Sequence, residues 1–415
     1  RARRSGASPA VPERGRATVS AIGVVGPHDV ADCIRRVRRT LEGVLGVPAT
    51  EGNAVDVLRN GDEIFPAMLE AIQRAEHTID FLTFIYWEGE IGTAFARALA
   101  DRARAGVRVR VLLDALGART MDRGLLDLMA DNGVQVQWFR PLRRLRPGQL
   151  NHRTHRKVLI VDEAIGFTGG VGIADEWRGD ARDPSEWRDT HFRFRGPIVD
   201  GLRAAFLDNW AETDLVLFEE GVDRFPEQPQ PGSVVTQVIR GASETGASDV
   251  ATLMRTLLQT AEDRVRITTA YFVPDADLIE RLCDAADRGV DVDILLPGPH
   301  ADKRVVQVAA ETTYESLVEH GVRIWNYQPT MLHAKLMTVD GAVANVGSAN
   351  LNRRSCLLDE EINVVALDPD LAAVLDAQFE EDLDRSEQIQ PSRWAHRSFG
   401  RRTVEQLVLP VRRFF

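Results

Sequence analysis

The chain reads His-Arg-Lys-Val-Leu-Ile-Val-Asp at residues 155–162 and His-Ala-Lys-Leu-Met-Thr-Val-Asp at residues 333–340. In both copies a His stands two residues before a Lys, four residues separate that Lys from an Asp, and a turn of small residues follows. Side chains two positions apart share a face of a β-strand. The spacing therefore predicts two strands, each presenting a His and a Lys on one face.

A neighbouring His and Lys suit a phosphate group, because the Lys neutralises its charge and the His attacks it or passes a proton. Two such strands brought together would direct His155, Lys157, His333 and Lys335 at one anion. A lone His-x-Lys pattern is more often a solvated strand face. Two copies at matching places in a repeat favour a catalytic site.

The repeat extends beyond the two motifs. Helical stretches followed by alternating strands occur in the same order in both halves, with matching pairs at 67–85 and 250–271, 104–113 and 288–296, and 133–139 and 321–327. This order predicts an α/β fold with a mixed sheet and an internal duplication. We place the boundaries at an N-terminal tail with a helix (1–52), a first half (53–225), a linker rich in Pro, Gly and Gln (226–232), a second half (233–395) and a C-terminal tail (396–415).

Composition narrows the function classes. The chain has 415 residues, 44% of them hydrophobic, which suffices for two domains or one duplicated domain. Its net charge of -11 argues against sequence-independent binding of nucleic acid. Cys33, Cys283 and Cys356 lie far apart in the sequence and indicate a reducing compartment. No apolar run is long enough to span a bilayer, but the chain does not begin with Met, which leaves open an upstream membrane anchor.

The doubled His-Lys-Asp pattern resembles the signature of the phospholipase D superfamily, and the resemblance covers about residues 53–394. Within the superfamily the chain is most similar to bacterial cardiolipin synthases. The stretches that carry this similarity are Gly61–Phe65, Phe167–Gly170, Trp187–His191, Tyr271–Pro274, Met331–Lys335, Gly347–Leu351 and Arg354–Ser355. The resemblance implies two α/β/α sandwich halves with mixed sheets and one shared active site at their interface.

The resemblance also implies a mechanism. One His attacks phosphorus and forms a phosphohistidine, and the other protonates the leaving alcohol and then deprotonates the acceptor. By analogy we assign His155 as the nucleophile and His333 as the acid/base, with Lys157 and Lys335 on the non-bridging oxygens. No metal and no cofactor is expected, because the two Lys supply the positive charge.

Further site residues follow from the family pattern. Asp162 and Asp340 complete the two catalytic motifs, where they are expected to tie down the strand and turn rather than touch substrate. Orienting carboxylates for the two His are expected downstream of each motif. The orienting carboxylates are Asp189 and Glu361, and the expected phosphate-binding residues are Gly170, Ser348 and Asn350.

The chain departs from the family pattern in each half. Gly172 stands where the first turn usually carries Asn, so one phosphate contact is expected to be missing. Asp359 and Glu360 replace the Asn and the aromatic residue usual before the second carboxylate. These changes are expected to affect the rate or the substrate preference without excluding activity.

Two segments are candidates for contact with a membrane surface. Apolar residues recur at helical spacing from Ile34 to Leu45 among four Arg, which fits an amphipathic helix on a bilayer or a helix docked on the core. A basic loop at 143–148 fits either a gate for anionic headgroups or a solvated charge run. The tail 1–15 is expected to be disordered, and the basic, aromatic end at 411–415 fits an interface contact or packing.

The expected function is phosphatidyl transfer of the cardiolipin synthase type, to phosphatidylglycerol or another alcohol. The alternatives are a phospholipase D that uses water, a nuclease or other phosphodiesterase, and a non-catalytic scaffold. The acidic charge argues against the nuclease, and two intact His/Lys pairs argue against the scaffold. We expect a monomer in the cytoplasm, bound peripherally to the inner membrane.

Overall fold

The computed structural model describes residues 27–141, 151–213, 215–217, 225–241 and 248–390. The basic loop at 143–148, the tail at 1–15 and the C-terminal tail at 396–415 lie outside these residues. The elements of the N-terminal part are α1 (Pro27–Leu45), β1 (Thr50–Arg59), α2 (Asn60–Arg74), β2 (Thr78–Thr83), α3 (Glu90–Arg104), β3 (Arg108–Asp114), α4 (Arg123–Asp131), β4 (Gln135–Phe139), β5 (Val158–Val161), β6 (Ile165–Gly169), β7 (Thr190–Arg195) and α5 (Ile198–Trp210).

The second half repeats this order with additions. Two short helices, α8 and α9, separate its second and third parallel strands. Its elements are β8 (Val234–Arg240), α6 (Asp249–Thr260), β9 (Arg264–Thr268), α7 (Ala276–Asp287), β10 (Asp291–Pro297), α8 (Arg304–Glu311), α9 (Tyr314–Glu319), β11 (Arg323–Tyr327), β12 (Leu336–Val339), β13 (Val343–Gly347), α10 (Arg353–Leu357), β14 (Ile362–Leu367), α11 (Pro369–Leu383) and β15 (Ser386–Gln388).

All fifteen described strands join in one sheet, in the order β15-β11-β10-β9-β12-β13-β14-β8-β1-β7-β6-β5-β2-β3-β4. β2, β3 and β4 are parallel, as are β9, β10 and β11, whereas the strands between these sets are antiparallel. The predicted α/β class with a mixed, duplicated sheet is confirmed. The two halves meet where β1 pairs with β8, so the sheet runs across the boundary without a break.

Local sequence explains how the helices end and the strands begin at equivalent places. Gly106 and Gly289 follow α3 and α7, with φ of 94° and 92°, in open space where a Cβ would meet nothing within 4 Å. Backbone conformation alone therefore favours Gly at these turns. After each turn the apolar strands β3 and β10 enter the sheet with nearly every residue buried, as expected for strands covered on both faces.

Three large apolar cores hold the layers together. One lies under α2 to α4 of the first half, and another under α6, α7 and α9 of the second. The third, which we call the central core, combines Leu202, Phe206 and Trp210 of α5 with Val346 of β13 and Leu375 of α11. It therefore takes side chains from both halves and covers the face of the sheet opposite the other two cores.

α1 is docked on the protein. Its apolar face, Cys33, Val37 and Leu41, is buried in the core of the second half and packs against α6. Of the two interpretations of the amphipathic pattern, the structure shows the docked helix, because the face that would enter a bilayer is already covered. The structure also begins β1 at Thr50, within the segment expected to be N-terminal tail.

Candidate active site

The two motifs lead into the middle strand of each half of the sheet, but their His and Lys precede the strands rather than lie within them. β5 begins at Val158 and β12 at Leu336, so His155, Lys157 and their counterparts occupy extended segments just before each strand. The expectation of His and Lys inside a strand is therefore corrected. The apolar residues of each motif form the strand, and the polar ones are left at its entrance, where the two halves meet.

Each His segment pairs with the other half. The His155 N–H donates to Glu360 O at 2.8 Å, and the His333 N–H donates to Arg188 O at 2.7 Å. Short parallel bridges accompany these bonds, between Thr154 and Glu360 and between Arg188 and Leu332. In each case the accepting carbonyl belongs to the residue immediately before an orienting carboxylate.

The carboxylates consequently serve the His of the opposite half. His155 Nδ1 lies 3.0 Å from both carboxylate oxygens of Glu361. His333 Nδ1 lies 2.8 Å from Asp189 Oδ2. A carboxylate on Nδ1 fixes the ring orientation and leaves Nε2 as the nitrogen available to a substrate.

Electrostatics keep the carboxylates ionised and the His neutral. Burial alone would raise the pKa of Asp189, but the hydrogen bond with His333 and its charge lower it to about 2. The pKa of Glu361 is likewise lowered, because the charge and the hydrogen bond of His155 outweigh the effect of burial. Burial lowers the pKa of His155 to about 4 and that of His333 to about 3, which outweighs the nearby carboxylates. Both imidazoles are therefore unprotonated at neutral pH in the free protein.

The two Lys ammonium groups are buried beside the imidazoles. Lys157 Nζ donates to His155 O at 2.6 Å, and Lys335 Nζ lies 3.3 Å from His333 Nε2. Burial is the main cause that lowers their pKa, to about 7 for Lys157 and about 8 for Lys335. The charge of Lys335 further lowers the pKa of Lys157 and also that of His333. Burial of two ammonium groups is unfavourable because it removes their hydration, and such an arrangement suits a site that receives an anion.

The motif aspartates lie at the far ends of β5 and β12. Asp162 accepts the backbone N–H groups of residues 76, 77 and 78, and Asp340 accepts those of residues 262, 263 and 264. Both have positive φ, 51° and 52°, a conformation that Asp tolerates better than most residues. They fasten β2 and β9 to the motif strands and do not face the His pair.

The residues expected to bind phosphate fall into different surroundings. The buried Ser348 hydroxyl donates to Glu361 and accepts the Ile362 N–H at 3.0 Å. Asn350 lines the cavity beside His155, and its Oδ1 accepts the Tyr271 N–H at 3.3 Å. Gly170 lies against the carboxylate that orients His333, because a Cβ there would stand 2.1 Å from Asp189 Oδ1.

Trp177 is a site residue that sequence reasoning missed. Its indole N–H donates to Asp189 Oδ2 at 2.9 Å, and its ring packs edge-on against His333, with ring centroids 5.1 Å apart. Gly172 makes room for it, because a Cβ there would lie 3.3 Å from Trp177 and 2.7 Å from Ile85. The departure from Asn at 172 therefore coincides with a bulky indole behind it.

The replacements before the second carboxylate also have structural partners. Asp359 is held by Arg354, at 2.8 Å from Nε and 2.9 Å from Nη2, and burial raises its pKa to about 7. The Glu360 carboxylate contacts Arg140 at 3.1 Å and accepts a hydrogen bond from Asn209. Only Asp359 faces the cavity beside His155.

Two adjoining cavities open onto the site. The aromatic lobe, with a volume of about 330 Å³, lies at His333 and is lined by Phe84, Trp87, Trp187 and Tyr271, with Arg119, Asp302 and Lys303 among its other residues. The polar lobe, about 350 Å³, lies at His155 and is lined by Asn151, Asn350, Asn352, Arg354, Ser355 and Asp359. Both share Phe84, Leu116, Tyr271 and Lys303.

Within the described ranges, no three His, Cys, Asp or Glu side chains are arranged to hold a metal ion. In the same part of the chain, no helix is both long enough and apolar enough to cross a bilayer.

Comparison with known proteins agrees with the doubled motif. The family model described as "Cardiolipin synthase, PLD-like domain" matches residues 68–176 and 254–383. Cardiolipin synthase 1 of Bacillus cereus is 32% identical over 371 residues, which cover 88% of this chain and 73% of that protein. Cardiolipin synthase 2 of Bacillus anthracis is 34% identical over 352 residues, which cover 84% of this chain and 68% of that protein.

A solved structure extends the comparison to the fold. The crystal structure of phosphatidylserine synthase from Haemophilus influenzae matches with a TM-score of 0.69 over 92% of this chain and 100% of that chain, at 15% identity. At this identity the likeness shows the fold alone, and it confirms the expected duplicated phospholipase D-like architecture. Together with the family model and the relatives, it establishes that the chain belongs to the cardiolipin synthase family of phospholipase D-like proteins.

Proposed function

We propose that this protein is a phosphatidyltransferase of the cardiolipin synthase type that transfers a phosphatidyl group to phosphatidylglycerol. The observation that carries the proposal is the crossed pair of His–carboxylate contacts, His155 with Glu361 and His333 with Asp189. It gives two oriented imidazoles, each at one of two adjoining lobes and each with a buried Lys beside it, which suits a double displacement at phosphorus.

In the first half-reaction His155 Nε2 attacks the phosphorus of a phosphatidylglycerol. The bond from phosphorus to the glycerol oxygen breaks, and His333 gives that oxygen a proton, so glycerol leaves and the phosphatidyl group stays on His155. Because both imidazoles are neutral in the free protein, the His333 proton has to be acquired as substrate binds. The negative charge of the phosphate favours that protonation by raising the pKa of His333.

In the second half-reaction a hydroxyl of another phosphatidylglycerol attacks the same phosphorus. His333 takes the proton of that hydroxyl, the phosphorus–nitrogen bond breaks, and His155 leaves as a neutral imidazole. The products are cardiolipin and the free protein, ready for another cycle. Lys157 and Lys335 stabilise the charge on the non-bridging oxygens in both steps, while Asn350 and Gly170 border the phosphate position.

The lipid substrates place the reaction at a membrane surface. We propose that the protein works as a peripheral monomer on the cytoplasmic face of the inner membrane. Support for a monomer comes from the crossed contacts, since one chain supplies both members of each His–carboxylate pair.

Mass spectrometry of phosphatidylglycerol vesicles incubated with the protein tests the proposal. Cardiolipin and glycerol are expected in equal amounts. Phosphatidic acid in their place would show that water is the acceptor, and unchanged lipid would reject phospholipid chemistry altogether.

Substitution of each His tests the mechanism. His155→Ala and His333→Ala are both expected to lose turnover, whereas His320→Ala is a matched control, because His320 forms an exposed pair with Asp287 at 2.9 Å. Labelled phosphatidyl group retained on His333→Ala but not on His155→Ala would support His155 as the nucleophile. The reverse pattern would exchange the two roles, and full activity in both variants would sink the two-His mechanism.

A further inference from the structure

Two basic side chains stand at equivalent places around the aromatic lobe. Arg119 lies in the turn after β3 and Lys303 in the turn after β10, the corresponding strand of the other half. Both line the lobe that contains His333, and Lys303 also borders the polar lobe. Neither belongs to the His-Lys-Asp motifs.

These charges are not neutralised within the described part of the chain. No carboxylate there lies within ion-pairing distance of Arg119 or Lys303, although Asp302 also lines the lobe. The Asp302 carboxylate accepts the Tyr271 hydroxyl at 2.7 Å, and the Lys303 ammonium lies over the Tyr271 ring, 4.6 Å from its centroid. The charge of Lys303 lowers the pKa of Lys335 and that of Asp302 raises it more strongly, so both charges of the rim act at the reaction centre.

The polar lobe differs in this respect. Besides Lys303, which it shares with the aromatic lobe, its cationic side chain is Arg354, which forms two hydrogen bonds with Asp359 and is therefore paired. Trp187 and Asp359 occupy equivalent positions, each two residues before an orienting carboxylate, and each borders one lobe. The duplicated framework has therefore diverged into a lobe with two unpaired cations, Arg119 and the shared Lys303, and a lobe whose own cation, Arg354, is paired.

We propose that Arg119 and Lys303 bind a second phosphodiester, that of the acceptor lipid, while the donor phosphate occupies the His/Lys centre. The proposal rests on the transferase function argued above and names its acceptor as an anionic glycerophospholipid. His333, the residue assigned to deprotonate the acceptor, lies in the same lobe, so one molecule presents its hydroxyl to His333 and its phosphate to the rim.

The size of the aromatic lobe agrees with this occupant. About 330 Å³ accommodates a polar headgroup with its phosphate but not two acyl chains. The chains would leave through the mouth of the lobe, past the half-buried Trp87 and Trp187 and the exposed Leu116. Water and simple alcohols carry no anionic group, so they cannot form the charge-assisted contacts with Arg119 and Lys303 that a phosphate forms.

Competition between acceptors tests the proposal. Vesicles of phosphatidylglycerol are supplied with ethanol, and the ratio of cardiolipin to phosphatidylethanol is measured by mass spectrometry. Both products arise from one phosphatidyl intermediate, so the ratio reports acceptor choice independently of how fast the intermediate forms. Arg119→Gln combined with Lys303→Gln is expected to lower the ratio about tenfold or more, because charge-assisted contacts to phosphate are among the strong hydrogen bonds.

Two control variants make the result specific. Lys303→Arg keeps the charge and is expected to keep the ratio within about twofold, since a guanidinium also binds phosphate. Arg304→Gln removes an exposed charge at the next residue, outside the lining of either lobe, and is expected to keep the wild-type ratio. An unchanged ratio in the double variant would overturn the proposal even if its turnover fell. Absence of both products with the wild-type protein would instead reject the transferase function.

Discussion

At the residue scale, the orienting carboxylates Asp189 and Glu361 each accept a second hydrogen bond, but from different kinds of residue in the two halves. In the second half the Ser348 hydroxyl hydrogen-bonds the orienting carboxylate Glu361. The equivalent residue in the first half is Gly170, which has no side chain, and the Trp177 indole supplies the bond instead. Trp177 is therefore a positioning residue, which acts on His333 through Asp189.

Replacement of Trp177 by Phe keeps most of the packing and removes the indole N–H. We expect kcat to fall about tenfold with little change in KM, because one hydrogen bond to a charged group contributes about 1.5–3 kcal/mol. Steady-state kinetics on phosphatidylglycerol vesicles checks this. Trp210→Phe is the matched control, since the buried Trp210 N–H has no hydrogen-bond partner among the described residues. Equal losses in both variants would mean that Trp177 only fills space.

Gly170 gives a second expectation at this scale. A methyl group there would stand 2.1 Å from Asp189 Oδ1 and would displace the carboxylate from His333. Gly170→Ala is therefore expected to lose at least about a hundredfold in kcat/KM, as for other disruptions of an oriented His. Gly43→Ala is the control, because a Cβ at that position meets nothing within 4 Å. A fully active Gly170→Ala would show that the Asp189 contact is dispensable.

The pH dependence follows from the same groups. Below about pH 4 the proposed nucleophile His155 is protonated, and above about pH 7 to 8 first Lys157 and then Lys335 lose their charge. Because productive binding also requires a proton on His333, a plot of kcat/KM against pH is expected to peak between about pH 3 and 4, to fall above that, and to fall more steeply once the Lys lose their charge. In kcat the alkaline limb is expected at higher pH, because bound phosphate favours the charged Lys. A rate that keeps rising to pH 10 would contradict a role for the Lys charges.

At the element scale, each motif strand is fastened to its neighbour by the Asp that directly follows it. Asp340 accepts three backbone N–H groups of the segment that leads into β9. Asp340→Ala leaves these donors without their acceptor, so we expect a loss of about 2 kcal/mol or more in the free energy of unfolding. Urea denaturation measures the loss, and KM below the transition is expected to stay near the wild-type value. Unchanged stability would rule out the fastening role.

Much of this element-level organisation was predictable from sequence. The duplication, the parallel strands and the positions of both motifs follow from hydrophobic periodicity and turn residues. The position of His155 three residues before β5 did not follow, because an extended segment and a strand share the same alternation. The docking of α1 was equally open, since its pattern fits a bilayer or a core until the partner helix α6 is known.

The site was predictable as a set of residues but not as a set of contacts. Asp189 and Glu361 follow from the family pattern, yet which His each one orients depends on how the halves face each other. Trp177 gave no signal, because an aromatic residue in an apolar stretch is usually core. Arg119 and Lys303 could not be recognised as site residues from the sequence, since isolated charges in turns are commonly solvated.

At the scale of the whole molecule, the continuous sheet and the central core bind the halves together. Phe206 of α5 belongs to the same core as residues of β13 and α11 from the other half. We expect one cooperative thermal transition for both halves, measurable by calorimetry. Phe206→Ala is expected to lower the stability by about 3 kcal/mol without splitting that transition. Two separate transitions in the wild-type protein would show that the halves fold independently.

The crossed contacts also have a historical consequence. Each half contains one of the two proposed catalytic imidazoles and a carboxylate that contacts the imidazole of the other half, so a solitary ancestral half would have had an incomplete centre. Two identical copies related by a twofold axis would have completed each other by the same exchange. Self-association must therefore have come before the gene fusion that joined them. Only after fusion were the two copies free to differ, as Gly170 now differs from Ser348 and Trp187 from Asp359.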